Sequence, residues 1–181
     1  MIYVITPASR PQFLAQIMES VQREGVKWKL MLDSQFFGMA IKGFPGRAYK
    51  KPEGSVLGNH FKNLALDQIH DGWLYVLDDD NQVHADFFDE IEKAIEENPD
   101  KSVISFNQQI DPTSIRRGDK YQTGKIDQAQ YIVKREFVGN LRYEQSYTAD
   151  GTFIEALHKK DPDAFLYIDK VLCHYNYFRK R

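Results

Sequence analysis

The stretch Gly72-Trp73-Leu74-Tyr75-Val76-Leu77-Asp78-Asp79-Asp80-Asn81 passes without a break from apolar and aromatic residues into three consecutive carboxylates and an amide. The short, branched and aromatic run at 73–77 reads as a strand buried on both faces of a sheet, with Gly72 as the punctuation before it. The carboxylates therefore stand at the rim of that sheet. Ligands of open α/β sheets gather outside the carboxyl ends of strands. Three adjacent acids placed there repel one another unless a hard divalent ion or solvent takes up their charge. A metal-dependent site at Asp78, Asp79 and Asp80 is the expectation, and a solvated loop ahead of a helix is the plain alternative.

Composition narrows what surrounds that rim. A chain of 181 residues that is 42% hydrophobic and 13% aromatic can bury one good core, so a single ordered domain is expected. Its 24 basic and 26 acidic residues leave a formal net charge of -2, which argues against a broad basic face and against a nucleic-acid partner. A lone cysteine, Cys173, excludes an internal disulfide and a cysteine-based zinc site. No leader-like stretch and no apolar run of about 18 residues is seen, so a cytoplasmic protein without a transmembrane segment is expected.

Taken in order, residues 1–6 form a β-branched strand that Pro7-Ala8-Ser9-Arg10-Pro11 interrupts with turn residues and a helix start. Phe13, Leu14, Ile17, Met18 and Val21 then recur at helical spacing until Gly25, and 28–32 makes a second strand closed by Asp33. Strand, helix and strand within about 30 residues is the size of one parallel crossover unit. Residues 35–55 break the rhythm with four glycines, two prolines and the cations Lys42, Arg47, Lys50 and Lys51, and read as one long loop or lid. From Val56 a helix puts Leu57, Phe61, Leu64, Ala65 and Ile69 on one face, with Asn59, Lys62 and Asn63 elsewhere. Asp86 is expected to cap a helix whose inner face is Phe87, Phe88, Ile91, Ala94 and Ile95. Strands are expected at 102–106, 130–133 and 168–174, a polar turn region at 111–124 and a helix at 149–158. The alternation predicts a three-layer α/β domain with a mainly parallel sheet, residues 1–81 building its nucleotide-binding half and 82–181 completing it.

The chemistry available is specific. One or two carboxylates completed by water and substrate phosphates is the usual arrangement for Mg²⁺ or Mn²⁺, so the implied partner is a diphosphate. No EF-hand spacing and no Gly-rich loop ending in Lys-Ser/Thr appears, which disfavours a calcium loop and an ATPase.

Ile5-Thr6-Pro7 with Arg10-Pro11, Lys62-Asn63-Leu64-Ala65-Leu66, and Leu77-Asp78-Asp79-Asp80-Asn81 together resemble glycosyltransferases of the GT-A fold, nearest to the family 43 glucuronyltransferases and the broad family 2. The likeness spans nearly the whole chain. It implies a three-layer α/β/α, Rossmann-like nucleotide-diphospho-sugar transferase fold with a mainly parallel mixed sheet. It also implies a nucleotide-diphosphate sugar donor, uridine-based, a saccharide or lipid-linked saccharide acceptor, and Mn²⁺ or Mg²⁺. On this resemblance Asp80 is the metal carboxylate of the Asp-x-Asp motif, and Asp78 and Asp79 meet the ribose and donor sugar. Pro7, Arg10 and Asp33 hold the nucleoside. Lys62 stands where an arginine is usual before Asn63, which keeps a cation but loses the planar fork. Asp150, in Thr148-Ala149-Asp150-Gly151-Thr152-Phe153, matches the acceptor-side acid, and His174, in Cys173-His174-Tyr175-Asn176, the histidine that reaches the diphosphate or metal. The family position of Asp150 often carries Glu, so the shorter side chain needs the acceptor closer. Alone, Asp150 is also a plausible helix cap and His174 a core-edge histidine.

An inverting transfer is implied, with Asp150 as the base. The brevity of the second half suits a small acceptor, one bound across a homodimer, or one at a membrane surface that Arg179-Lys180-Arg181 could touch. Two other classes remain open: a non-catalytic nucleotide-sugar or carbohydrate-binding protein, and a sugar nucleotidyltransferase, which should carry a Gly-rich basic loop after the first strand.

Overall fold

The computed structural model describes residues 1–36, 46–50, 52–56 and 58–180. Nine strands form one sheet: β1 (Ile2–Ala8), β2 (Val26–Asp33), β3 (Gly46–Tyr49), β4 (Trp73–Val76), β5 (Gln82–Val83), β6 (Val103–Asp111), β7 (Ser114–Arg116), β8 (Tyr131–Lys134) and β9 (Phe165–His174). Their order is β3-β2-β1-β4-β8-β6-β9-β5, with β7 added to β6 as a hairpin. Strands β1, β2, β3, β4, β6 and β9 point one way, while β5, β7 and β8 run against them. The sheet is therefore mixed and mainly parallel, as the alternation of elements predicts.

The helices are α1 (Leu14–Val21), α2 (Asn59–Gln68), α3 (Phe87–Glu97), α4 (Arg135–Val138) and α5 (Ala149–Lys160). One core lies between the sheet and α1 with α3, where Ile17, Val21, Phe87 and Ile91 meet Val4, Trp73, Tyr75 and Leu77. On the other face Phe61 and Ala65 of α2 and Phe153 and Ile154 of α5 meet Ile5, Leu74 and Val76. Alternate residues of β4 thus feed opposite cores, which is why its sequence is apolar without a break. Tyr75 is fully buried between the Phe87 and Phe106 rings, and its hydroxyl donates to Ala129 O at 3.1 Å. That bond removes the cost of burying the phenol.

Several local expectations change. Pro7 does not end the first strand. Met1 O and Ile5 O accept from Trp73 N at 3.0 Å and Leu77 N at 2.9 Å, so the odd-numbered residues turn their peptide groups toward β4. Pro7 follows in that alternation beyond the end of β4, where its missing N–H costs no ladder bond. Residues 35–55 are not one loop, because Gly46–Tyr49 pairs in parallel with the end of β2, while 37–45 and 51 lie outside the described residues. Asp86 sits at the N-cap of α3, but its side chain makes no capping bond. Helix α2 has more than one buried face, since Asn59 and Lys62 are buried beside its apolar residues. The short β5, β7 and α4 carry no period in the sequence.

Strand β1 leads through α1 to β2 on one side, and the chain returns through α2 to β4 on its other side. The two helices lie on opposite faces, so a crevice opens where the carboxyl ends of β1 and β4 diverge, the topological switch point of an open α/β sheet. The acidic triplet follows β4 directly into it. No described helix is long and apolar enough to cross a membrane.

One close approach ties the 117–124 loop to the sheet. A Cβ on Gly118 would fall 2.1 Å from Phe106 O and 2.6 Å from its carbonyl carbon, both backbone atoms that cannot rotate away. Gly118→Ala is expected to destabilise the protein by about 1–3 kcal/mol or more in urea unfolding. A variant with an unchanged unfolding midpoint would show that this approach does not constrain the fold.

Candidate functional site

At the switch point the turn after β4, closed by Asn81 N donating to Asp78 O at 3.1 Å, fans the three carboxylates into different surroundings. Asp79 is fully buried. Its Oδ2 accepts from Ser9 N at 2.5 Å and Arg10 N at 2.7 Å, and its Oδ1 from Arg10 Nε at 2.7 Å and from Arg10 Nη2. Asp79 therefore clamps the loop after β1 to the loop after β4, and both of its oxygens are engaged within the protein. Donor contact by Asp79, expected from the resemblance, would need those bonds to be exchanged.

Asp80 is 3% exposed. Its Oδ2 lies 3.1 Å from Arg10 Nη2 and 2.5 Å from Arg179 Nε. Burial, with the neighbouring Asp79, pushes its carboxyl above the usual carboxylate range, and Arg10 opposes that rise. The segment carrying Arg179 is pinned in place: Phe178 N donates to Asp80 O at 3.1 Å, Asn176 N to Asn81 Oδ1 at 2.8 Å, and the Phe178 ring stacks on Phe13 at 5.8 Å. Arg179 is thus part of the site rather than a solvated basic tail. Arg181 lies outside the described residues.

Asp80 and His174 were the expected cation ligands. His174 lies opposite Gln82 in the β5–β9 pair, so it stands near the triplet, but its ring faces His84 at 5.8 Å and Tyr177 at 5.5 Å. Burial, with His84 beside it, lowers its pKa, so it is neutral near pH 7. Among the described residues no group of three His, Cys, Asp or Glu side chains gathers as metal ligands. A divalent ion does not fit this arrangement, because the exposed edge of Asp80 is already covered by two guanidinium groups.

Asp78 turns to the other side of the clamp, where Gln128 Nε2 donates to its Oδ1 at 2.6 Å. Burial raises its pKa well above the usual range; Lys62 lowers it, while Asp127, Asp150 and Asp80 raise it further. These groups therefore share one neighbourhood, although Asp150 lies far along the chain. Lys62, 2% exposed, reaches Asp150 Oδ1 at 2.8 Å and Asn59 Oδ1 at 3.0 Å, with its ammonium 4.8 Å from the centre of the Tyr143 ring. Asn63 exchanges two 2.8 Å bonds with the backbone of Tyr143, and Asn59 Nδ2 donates to Glu144 O and Ser146 O at 3.0 and 2.9 Å. The polar residues of α2 thus hold the 143–146 loop and seat Asp150 at the start of α5. Lys62 and Asn63, expected at the donor, make their contacts with Asp150 and the 143–146 loop.

Asp150 Oδ2 takes no hydrogen bond among the described residues. Thr123 supports the same turn, since a Cβ on Gly151 would lie 2.4 Å from Thr123 Cα. Asp33 ends β2 and, among the described residues, bonds only locally, to Gln35 N at 3.1 Å and Gln35 Nε2 at 3.3 Å. Pro7 packs under α2, where a Cβ on Gly58 would lie 2.5 Å from Pro7 Cβ. A separate depression lined by His70, Asp71, Gly72, Trp73, Lys134 and Glu136 opens at the amino end of β4, opposite the carboxylates.

Sequence reading does not single out Asp127 and Gln128, and it takes Arg179 only as part of the basic Arg179-Lys180-Arg181 segment. Asp127-Gln128-Ala129-Gln130 carries the spacing of a capping box, and the structure forms one, Asp127 accepting from Ala129 N at 2.9 Å while Gln130 Oε1 accepts from Asp127 N at 2.9 Å. That signal was available in the sequence. Burial, and then Asp150, raise the Asp127 carboxyl above its usual range.

Two stability outcomes follow. A carboxyl whose folded pKa is raised costs stability when ionised, and the cost fades as pH falls from the raised value toward the ordinary 3.8. Asp78→Asn should therefore raise Tm near neutral pH, by roughly 2–4 °C for each kcal/mol of repulsion removed, with the gain shrinking as the pH is lowered toward the ordinary carboxylate value. Lys62→Met should cost about 1–3 kcal/mol in urea unfolding, and far less on an Asp150→Asn background, because the two side chains form one pair. Additive losses would deny the coupling.

No family model and no curated protein matches the chain. Solved structures do. The S. aureus TarS 1–349 structure superposes with a TM-score of 0.71 at 11% identity, covering 96% of this chain and 59% of that one. The same protein in complex with UDP-GlcNAc gives 0.73 at 10% identity, over 96% of this chain and 57% of that one. The bifunctional IspDF of Campylobacter jejuni gives 0.60 at 15% identity, over 93% and 49%. This chain thus spans a little over half the length of the TarS structure, and the likeness establishes a mixed α/β, Rossmann-like fold shared with TarS and IspDF.

Proposed function

We propose that the chain transfers a sugar from a nucleotide-diphosphate sugar, uridine-linked, to an acceptor hydroxyl, with inversion. The observation that supports this reading is that Asp78 and Asp150 share the neighbourhood of Lys62 at the end of β4, where the reading assigns Asp78 to the donor and Asp150 to the acceptor. TarS, whose fold this chain shares, was crystallised with UDP-GlcNAc and with UDP, which supports the choice of donor class.

In this reading the nucleoside lies over the ends of β1 and β2, with Asp33 toward the base and the loop of Pro7 and Arg10 beneath it. Asp78 meets the donor sugar, and Asp79 acts by fixing Arg10. The acceptor oxygen attacks the anomeric carbon as Asp150 takes its proton. The bond to the diphosphate oxygen breaks, and its electron pair leaves with the nucleoside diphosphate. One displacement inverts the anomeric centre. Lys62 fixes the orientation of Asp150 through one oxygen and leaves the other turned to the acceptor. Neutral His174 can donate one hydrogen bond near the diphosphate. The acceptor is a saccharide or a lipid-linked saccharide.

The likeness to IspDF keeps a nucleotidyltransferase in view. Against it, Pro7-Ala8-Ser9-Arg10-Pro11 after β1 has no glycine whose backbone could wrap a triphosphate. The Lys62–Asp150 pair is what a non-catalytic binder would also show, so turnover must be tested at Asp150.

In a thermal-shift panel of nucleotide sugars, a uridine-linked sugar should raise Tm, because a ligand that binds only the folded state stabilises it. With that sugar, Asp150→Asn should lower transfer or donor hydrolysis by about 10²–10⁴ while the thermal shift persists. Equal, non-zero rates in both proteins would remove Asp150 as the base. A shift with no turnover in either would make the protein a binder.

A further inference from the structure

We infer that Arg10 and Arg179 together form a metal-independent diphosphate site, taking the place that a divalent ion would hold on Asp80. Only the identity of the nucleoside in this inference rests on the function proposed above. Both guanidiniums reach Asp80 Oδ2, the oxygen such an ion would bind, Arg10 sharing its charge between Asp79 and Asp80 and Arg179 adding a second. Neither is a loose surface charge. Arg10 is fixed by the buried Asp79 through its Nε and Nη2 groups. Arg179 is carried on the turn at Tyr177–Lys180, which donates from Phe178 N to Asp80 O, stacks Phe178 on Phe13, and follows Asn176, whose N donates to Asn81 Oδ1.

What each arginine leaves over is the binding surface. Asp80 takes only Nε of Arg179, whose side chain is 49% exposed, and Nη1 and Nη2 have no partner among the described residues. A planar fork held at its base and open at its tip matches the geometry of a phosphate group. The fork stands where β1 and β4 diverge, the place at which an open α/β sheet receives phosphates. Asp80 then positions the arginines, and Arg179 is the group that touches the diphosphate. As the bond to the anomeric carbon breaks, the charge that develops on the departing oxygen is met by fixed N–H donors, with no ion to be loaded first.

Calorimetry with two probes, uridine diphosphate and inorganic pyrophosphate, tests the inference on the whole chain in EDTA and again with Mn²⁺. Both should bind in EDTA, with Kd changing less than about 3-fold on adding Mn²⁺. Arg179→Ala should weaken both by roughly 10- to 100-fold, and Arg179→Lys by less, since it restores the charge without the fork. Thermal melts of the variants report that the fold is kept. Binding that needs Mn²⁺ overturns the inference, as does binding in EDTA that Arg179→Ala leaves unchanged or tightens, which would make the arginine a cover over a metal site. Arg179-dependent pyrophosphate binding, with uridine diphosphate no tighter, would uphold the arginine site and discard the nucleotide-sugar reading.

Discussion

The clamp between Asp79 and the Ser9-Arg10 backbone and guanidinium is the contact on which the rest of the rim depends. A carboxylate with no solvent exposure is tolerable only if its lone pairs are taken, and here backbone and side-chain N–H groups from one short loop take them. The clamp joins the ends of two strands that diverge, β1 and β4. It therefore converts a seam in the sheet into a fixed floor. It also sorts the neighbours of Asp79, sending Asp80 toward the arginines and Asp78 toward Gln128 and the Lys62–Asp150 pair.

Helix α2 performs the second joining. Its Asn59, Lys62 and Asn63 reach forward about 80 residues in sequence and satisfy backbone carbonyls and a carboxylate that would otherwise be left without partners. A buried ammonium between an amide oxygen and a carboxylate contributes little net stability but fixes geometry, because removing either partner strands the other. The same three residues set the height of the 143–146 loop and hence of Asp150. Tyr147, directly after this loop and three residues before Asp150, is 82% exposed.

The legible parts of the chain were those with a local period. The strand ending at Leu77, the helix with Phe87 and Ile91 inward and the terminal strand up to His174 announce themselves because burial on one or both faces is written in adjacent residues. Gly46–Tyr49, Gln82–Val83 and Ser114–Arg116 do not, since each becomes a strand only when a neighbour offers its edge. The site divides in the same way. Asp78, Asp80 and Asp150 were readable as chemistry, being acids at element ends. That Lys62 is buried was not, because a helix's second buried face depends on a loop many residues later. The place of Arg179 was not legible for the same reason: Arg179-Lys180-Arg181 reads as a basic surface segment until Asp80 and Phe13 are seen to receive it.

These two joinings give the crevice an electrical direction. At one end Arg10 and Arg179 face Asp79 and Asp80, two charges against two, with the tip of the Arg179 fork left open; at the other, Lys62 pairs with Asp150 beside Asp78, whose carboxyl burial makes costly to ionise. Carboxylates crowded this way destabilise the fold, so repacking for stability alone would disperse them. In the proposed transfer, positive charge grows on the anomeric carbon and negative charge on the departing diphosphate. A sugar lying toward Asp78 with its diphosphate toward Arg179 would find both charges opposed by groups already in place. Bound the other way round, the same donor would meet carboxylate against phosphate and guanidinium against the incipient cation. In the proposed transfer, the order of these groups therefore favours one direction for the donor, and with it one face of the sugar toward Asp150.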